Sequence, residues 1–347
     1  MPMKTKKKHY FAYLATALAV ILIIGLVILG QDRQYTDLFN SAQPSQESAK
    51  EYRLIQEPQA GYTWAVTMIK SAKKSVTLTM YELTDHAIEA ALVSANNHGA
   101  AVKVLLDQDY YAASVNRPAY DFLRLHKVAV KWGPSHIIVH QKTLTIDNRE
   151  SAVGSGNFTP NYYSNTVDAF VVTTSQPDVS AITHTFHADW NAAPNALGQA
   201  SHAGRNLIWS PNAEAIFINA IQSAKSKIRF SGEELTDWNL VNALETASQK
   251  GIHVEILMTA DNLKSNVAAE LTASGCRIRT YVDAASEPYI HIKQLFIDSR
   301  TAILGSQNAS KTSMTYNREL SVVLSGKAVV ARLGSTFDSL YEGADPY

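Results

Sequence analysis

The sequence predicts an α/β protein built from two pseudo-symmetric domains, each a mixed β-sheet flanked by helices, behind one N-terminal transmembrane helix. Three observations carry this reading. One unit is written twice, strand-like and helix-like segments alternate within each copy, and residues 11–29 contain no charge.

Those nineteen uncharged residues, at about 1.5 Å rise each, make a helix about 28 Å long, close to the bilayer hydrocarbon core. Lys4, Lys6, Lys7 and Lys8 flank it and stay cytoplasmic under the positive-inside rule, which places everything after Gly30 outside the cytoplasm. The exit Val27-Ile28-Leu29-Gly30-Gln31 lacks a small-residue cleavage site, so residues 1–30 are expected to be an uncleaved signal anchor; a cleaved signal peptide is the alternative. The polar stretch 31–52 reads as a tether.

Ser71-Ala72-Lys73 recurs as Ser223-Ala224-Lys225, and Glu82-Leu83-Thr84-Asp85 as Glu234-Leu235-Thr236-Asp237, at an offset of 152. Past a one-residue indel the offset is 151. His140, Lys142, Asp147, Gly154-Ser155, Asn157 and Asp168 then fall on His291, Lys293, Asp298, Gly305-Ser306, Asn308 and Glu319. This is a duplicated domain, with copies expected at 53–198 and 199–347 and a seam rich in Ala, Gly, Asn and Pro at 191–205.

In copy one, helices are expected at 63–72, 86–97, 119–125 and 179–190, and strands at 76–81, 102–106, 128–132, 143–146, 151–153 and 168–173. Residues 76–81 alternate as a strand does. Ile88, Ala91 and Leu92 share one helical face that Gly99 ends. Copy two repeats the order, with strands at 228, 254–258, 278–281, 295–297, 302–304 and 320–324, and helices at 213–224, 240–249, 263–274 and 329–340.

At 46% hydrophobic and 18% charged the chain has the composition of a folded protein. Cys276 is the only cysteine, which excludes an intramolecular disulfide and a multi-cysteine metal site. The formal charge is zero, and setting the four N-terminal lysines aside leaves 27 basic against 31 acidic residues. An acidic body lacks the overall field of a nonspecific nucleic-acid binder.

Each copy carries a His, a Lys two residues on, an Asp five after that, then Gly-Ser and an Asn: His140, Lys142, Asp147, Ser155, Asn157, and His291, Lys293, Asp298, Ser306, Asn308. Positions i and i+2 of a strand face one side, so each His and Lys project together. Glycines in the motif allow close backbone approach to a ligand, and the asparagines supply amide donors. Paired lysines, asparagines and histidines about a twofold axis describe a site for a phosphodiester.

This double H-x-K-x4-D-x6-G-S-x-N pattern resembles the phospholipase D superfamily over about residues 54–341. The resemblance implies a site at the interface of the two domains, a covalent phosphohistidine on His140, and His291 as general acid and base. Lys142, Lys293, Asn157 and Asn308 hold phosphate oxygens there, assisted by Ser155 and Ser306. Asp168 and Glu319 accept from imidazole Nδ1, each across the interface, while Asp147 and Asp298 are structural. No metal or cofactor is implied, and both motifs in one chain imply a monomer. Hydrolysis or transfer of phospholipid headgroups at a membrane surface is the expected function. A metal-independent extracytoplasmic nuclease and a cardiolipin-synthase-like phosphatidyltransferase are the alternatives.

Three further features are weighed on their own residues. His184 and His187 have helical ligand spacing, yet Phe186 and Trp190 mark that helix as core-packing. Asp107-Gln108-Asp109 reads as a solvated acidic loop. Tyr110, Tyr111, Tyr162 and Tyr163 line the cleft mouth or pack elsewhere. The anchor reading has a direct check: the protein should fractionate with membranes, its C-terminal body open to protease added outside the cytoplasm. A soluble chain beginning near Gln31 would show cleavage instead.

Overall fold

The computed structural model describes residues 51–109 and 111–347. The expected anchor, the tether up to residue 50 and Tyr110 lie outside the described residues. Among the described residues no helix is long and apolar enough to cross a membrane.

The first half runs β1 (Tyr52–Glu57), α1 (Thr63–Ser71), β2 (Ser75–Met80), α2 (His86–Asn97), β3 (Ala101–Leu106), α3 (Ala112–Leu125) and β4 (Ala129–Trp132). It continues with β5 (Thr143–Ile146), β6 (Glu150–Gly154), β7 (Thr166–Thr173) and α4 (Gln176–Asn191). Its sheet has the order β1-β7-β6-β5-β2-β3-β4, parallel from β2 to β4 and antiparallel elsewhere.

The second half repeats this as β8 (Leu207–Ser210), α5 (Glu214–Ser223), β9 (Lys227–Ser231), α6 (Trp238–Gln249), β10 (His253–Thr259), α7 (Ser265–Ala273) and β11 (Arg277–Tyr281). Then follow β12 (Tyr289–Ile290), β13 (Lys293–Ile297), β14 (Thr301–Gly305), α8 (Lys311–Thr315), β15 (Glu319–Leu324), α9 (Lys327–Gly343) and β16 (Asp345–Pro346). The sheet order is β16-β11-β10-β9-β13-β14-β15-β8.

The capping logic is duplicated too. Asp85 accepts from the backbone N–H groups of Ala87 and Ile88 to start α2, and Asp237 accepts from Asn239 N–H to start α6. Gly99 and Gly251, at φ +94° and +88°, end these helices where a side chain would be strained. Asp147 and Asp298 cap strands. Asp147 accepts from Lys73, Lys74 and Ser75 N–H at 2.7–3.1 Å, and Asp298 from Lys225, Ser226 and Lys227 N–H at 2.8–3.1 Å. The repeated Ser-Ala-Lys segments supply those donors.

Several elements depart from the sequence reading, the short β12, α8 and β16 among them. Strands β1 and β8 were not expected, because burial on both faces erases their alternation: Leu54 and Ile55 are both buried, as is all of β8. Helix α3 begins at Ala112 and runs through Pro118. The buried Asn116 pins its first turns, accepting from Leu83 N–H and donating to the carbonyls of Tyr81 and Asp107. Asp107 is fully buried rather than solvated, accepting from Val139 N–H at 2.5 Å.

The halves meet sheet to sheet. Val167, Ala169 and Val171 of β7 share one apolar core with Leu320, Val322 and Leu324 of β15, while the alternate residues Phe170 and Val172 fill the core of the first half. Backbone also crosses. Strand β12 pairs in parallel with β7 of the other half, and Val139 bridges Arg318 beside β15 in the same way. Arg318 then reaches back to Asp189 on α4 through two bonds of 2.9 and 3.0 Å, both side chains buried. We expect Asp147→Ala to leave three N–H groups unpaired and cost about 2–4 kcal/mol, read as a lower urea midpoint.

Candidate active site

The exchanged backbone sets the site. Gln141 N–H donates to Arg318 carbonyl at 3.0 Å and Ile292 N–H to Val167 carbonyl at 2.8 Å. Each bond holds a histidine-bearing segment beside the carboxylate strand of the other half. His140 Nδ1 therefore lies 2.9 Å from Glu319 Oε2, and His291 Nδ1 lies 2.9 and 3.0 Å from the Asp168 oxygens. The carboxylates are held in turn. Glu319 accepts from Ser313 Oγ at 2.6 Å and Asn317 Nδ2 at 3.1 Å, and Asp168 from Ser155 Oγ at 2.5 Å.

His140 Nδ1 is also 3.1 Å from the Ser306 carbonyl, which accepts only, so Nδ1 carries the proton. The other ring nitrogen, Nε2, is left for chemistry. Lys142 and Lys293 are buried, each donating from Nζ to the carbonyl of its own histidine at 2.6 Å. The side-chain oxygens of Asn157 and Asn308 are buried without a hydrogen-bond partner among the described residues. Asn308 Nδ2 donates to Glu234 Oε1 at 3.4 Å, while the Asn157 amide turned by 180° offers donors at the same place.

The motif serines and glycines serve differently from the sequence reading. Ser155 and Ser306 are fully buried, and their hydroxyls accept from Ala169 and Leu320 N–H at 3.1 Å, locking β6 to β7 and β14 to β15. A Cβ on Gly154 would meet the Phe170 ring at 2.3 Å, and one on Gly305 the Leu320 carbonyl at 2.3 Å. The close approach these glycines permit is to the neighbouring strand, not to a ligand.

Above the motif residues opens a cleft of about 500 Å³. Tyr62, Tyr81, Tyr111, Tyr162, Tyr163 and Tyr289 line it, with Glu82, Glu233, Glu234 and Asp283 among them. Tyr62 and Tyr163 stack at 3.5 Å between ring centroids. Sequence reasoning missed Glu233 and its counterpart at the offset of 152, Tyr81. Glu233 Oε2 accepts from Lys293 Nζ at 2.8 Å and lies 3.3 Å from His291 Nε2. Tyr81 instead places its ring 4.8 Å from Lys142 Nζ and edge-on to His140. A signal was present: Tyr against Glu is a chemical mismatch beside four repeated residues.

The family described as "Cardiolipin synthase, PLD-like domain" matches residues 65–190 and again 217–341, one match per half. The chain belongs to the phospholipase D superfamily. A phospholipase D of Rickettsia prowazekii is 30% identical over 171 residues, covering 45% of this chain and 81% of that protein. A cardiolipin synthase A of Pseudomonas syringae is 29% identical over 147 residues, 41% of this chain and 30% of that one. Among solved structures, a phosphatidylserine synthase of Haemophilus influenzae shares the fold with a TM-score of 0.67 and 12% identity, over 91% of both chains.

Within this superfamily site the charges are unequal. Burial pushes the Lys142 ammonium down to about 7, with Glu319 opposing and Lys293 adding to the effect. Burial also lowers His140, against the pull of Glu319. Glu319 is buried as well, yet His140 and Lys142 hold it below the usual carboxylate range. A lysine whose folded pKa is depressed costs stability as pH falls from its unfolded value of 10.5 towards about 7. Lys142→Met should therefore melt higher than the unaltered protein, by a margin that widens across that window and is flat below it. Melting temperatures at several pH values check this.

Proposed function

We propose that the protein is a phospholipase D-type phosphodiesterase that hydrolyses or transfers phospholipid headgroups through a phosphohistidine on His140. In this reading it acts as a monomer, anchored by residues 11–29 with its catalytic body outside the cytoplasm. The observation that carries it is the cleft: both motif histidines and both asparagines line it, each motif lysine is buried against the carbonyl of its histidine, and tyrosines and carboxylates form the wall. One phosphodiester fits that cleft. A nucleic-acid strand brings further phosphates on both sides of the scissile one and needs cationic flanks. The flanks here carry Glu82, Glu233, Glu234 and Asp283.

The chemistry runs in two displacements. His140 Nε2 attacks phosphorus as the bond to the headgroup oxygen breaks, and His291 Nε2–H gives that oxygen its proton. Lys142, Lys293 and the amides of Asn157 and Asn308 stabilise the charge on the nonbridging oxygens. His291, now neutral, takes a proton from water or an alcohol, whose oxygen attacks phosphorus and expels His140. Glu319 and Asp168 keep each ring in the Nδ1–H form, so both reacting nitrogens point into the cleft. Water gives hydrolysis and a lipid alcohol gives transfer, so the acceptor separates a phospholipase from a synthase.

The full-length protein should release headgroup from mixed phospholipid vesicles without added divalent metal and leave single- and double-stranded DNA intact. DNA scission without headgroup release would end this reading. An acid quench should trap phosphate on His140. His140→Ala should lose the adduct, while His291→Ala accumulates it with a nitrophenolate leaving group, which needs no proton.

A further inference from the structure

We propose that Glu233 breaks the twofold symmetry of the site by holding the proton on His291, making that ring the acid and leaving His140 the nucleophile. The inference rests on the phosphodiesterase reading and deepens it. The two motifs match residue for residue and their carboxylate partners are equivalent, so the motifs alone give no reason for the histidines to differ. The surroundings of Nε2 do. His291 is bracketed, with Asp168 on Nδ1 at 2.9 Å and Glu233 3.3 Å from Nε2. An ionised carboxylate repels a lone pair and attracts an N–H, so the carboxylate beside Nε2 favours a hydrogen on that nitrogen, which His140 Nε2, with Tyr81 in the equivalent place, does not experience.

Glu233 is ionised in this setting. Burial opposes its charge, but Lys293 and His291 beside it hold its carboxyl well below the ordinary range. On the other side of the pseudo-axis a neutral phenol stands in the same place: Tyr81 packs its ring against His140 and Lys142. His140 then faces one carboxylate, Glu319, and two cations, Lys142 and Lys293.

The groups facing His291 come from four elements. Asp168 on β7 and Glu233 after β9 favour its charge, and Lys293 on β13 opposes it. Tyr289 of β12 stacks beside it at 6.4 Å between centroids. Glu234 and Asp283 line the same cleft and add to the negative field. When a phosphodiester arrives, the leaving oxygen takes the place of Glu233 at Nε2. The proton is then already where the first displacement needs it.

The test is a histidine titration by NMR on the full chain in detergent, with carbon-13 in the imidazole rings. Resonances are assigned by their loss in His140→Ala and His291→Ala. Glu233→Gln, which keeps the shape and removes the charge, should lower His291 by about one pH unit or more, and Glu233→Asp should restore part of that shift. An unmoved His291 in Glu233→Gln would overturn the proposal. Glu233→Asp keeps the charge and sets it farther back, so it decides if Glu233→Gln does not fold: a His291 unmoved there would also overturn the proposal. None of these readings needs turnover, so a protein inert toward lipids would sink the functional reading alone.

Discussion

Everything about the site depends on a short exchange of backbone hydrogen bonds between the halves. The segment before each histidine leaves its own sheet and pairs with the strand that carries the opposite half's carboxylate. A single residue of slip would turn Asp168 or Glu319 to the wrong face. The register is pinned by the core behind it, where Val167, Ala169 and Val171 meet Leu320, Val322 and Leu324. Packing thus fixes a polar geometry to within a hydrogen-bond length. Neither half has a complete acid–base pair alone, which makes the interface and the catalytic apparatus one structure.

That apparatus is costly to keep. Lys142 is fully buried and bonded to a carbonyl, with no ionic partner at hydrogen-bond distance among the described residues. A buried, weakly compensated ammonium is destabilising, but it is preorganised for an incoming phosphate, whose negative charge would complete the site. Arg318 shows the opposite solution. Its guanidinium is paired bidentately with Asp189 and ties α4 to the strand holding Glu319, where removing one partner would cost about 3–5 kcal/mol. Arg318 is paired with a carboxylate, as Lys293 is with Glu233, whereas Lys142 has none at hydrogen-bond distance among the described residues.

The same contrast separates the two motifs. Duplication gave two equal histidines, whereas cleaving a phosphodiester needs a base and an acid at once. Small differences outside the motifs supply the inequality: Tyr81 against Glu233, and Asp107 against Thr259, which bind Val139 and Ile290 N–H respectively. The wall of the cleft is built of tyrosines and carboxylates, whose field disfavours a chain of phosphates.

Local chemistry was legible in the sequence. The offset of 152 and 151 revealed two copies, and α2 lies at 86–97 as its apolar face and Gly99 indicated. The motif spacing named the histidines and asparagines that line the cleft and the lysines buried beside them. These features survive translation because strand and helix periods act over a few residues. Strands β1 and β8 escaped because double burial leaves no periodicity to read. The glycines and serines of the motif read as ligand contacts, but only the strand beside them shows what they touch. Glu233 lies 60 residues from Lys293 along the chain. Its contact, like the crossed pairs of His140 with Glu319 and His291 with Asp168, is a product of how two sheets pack. Distance in space, which no local pattern encodes, decided which acid meets which base.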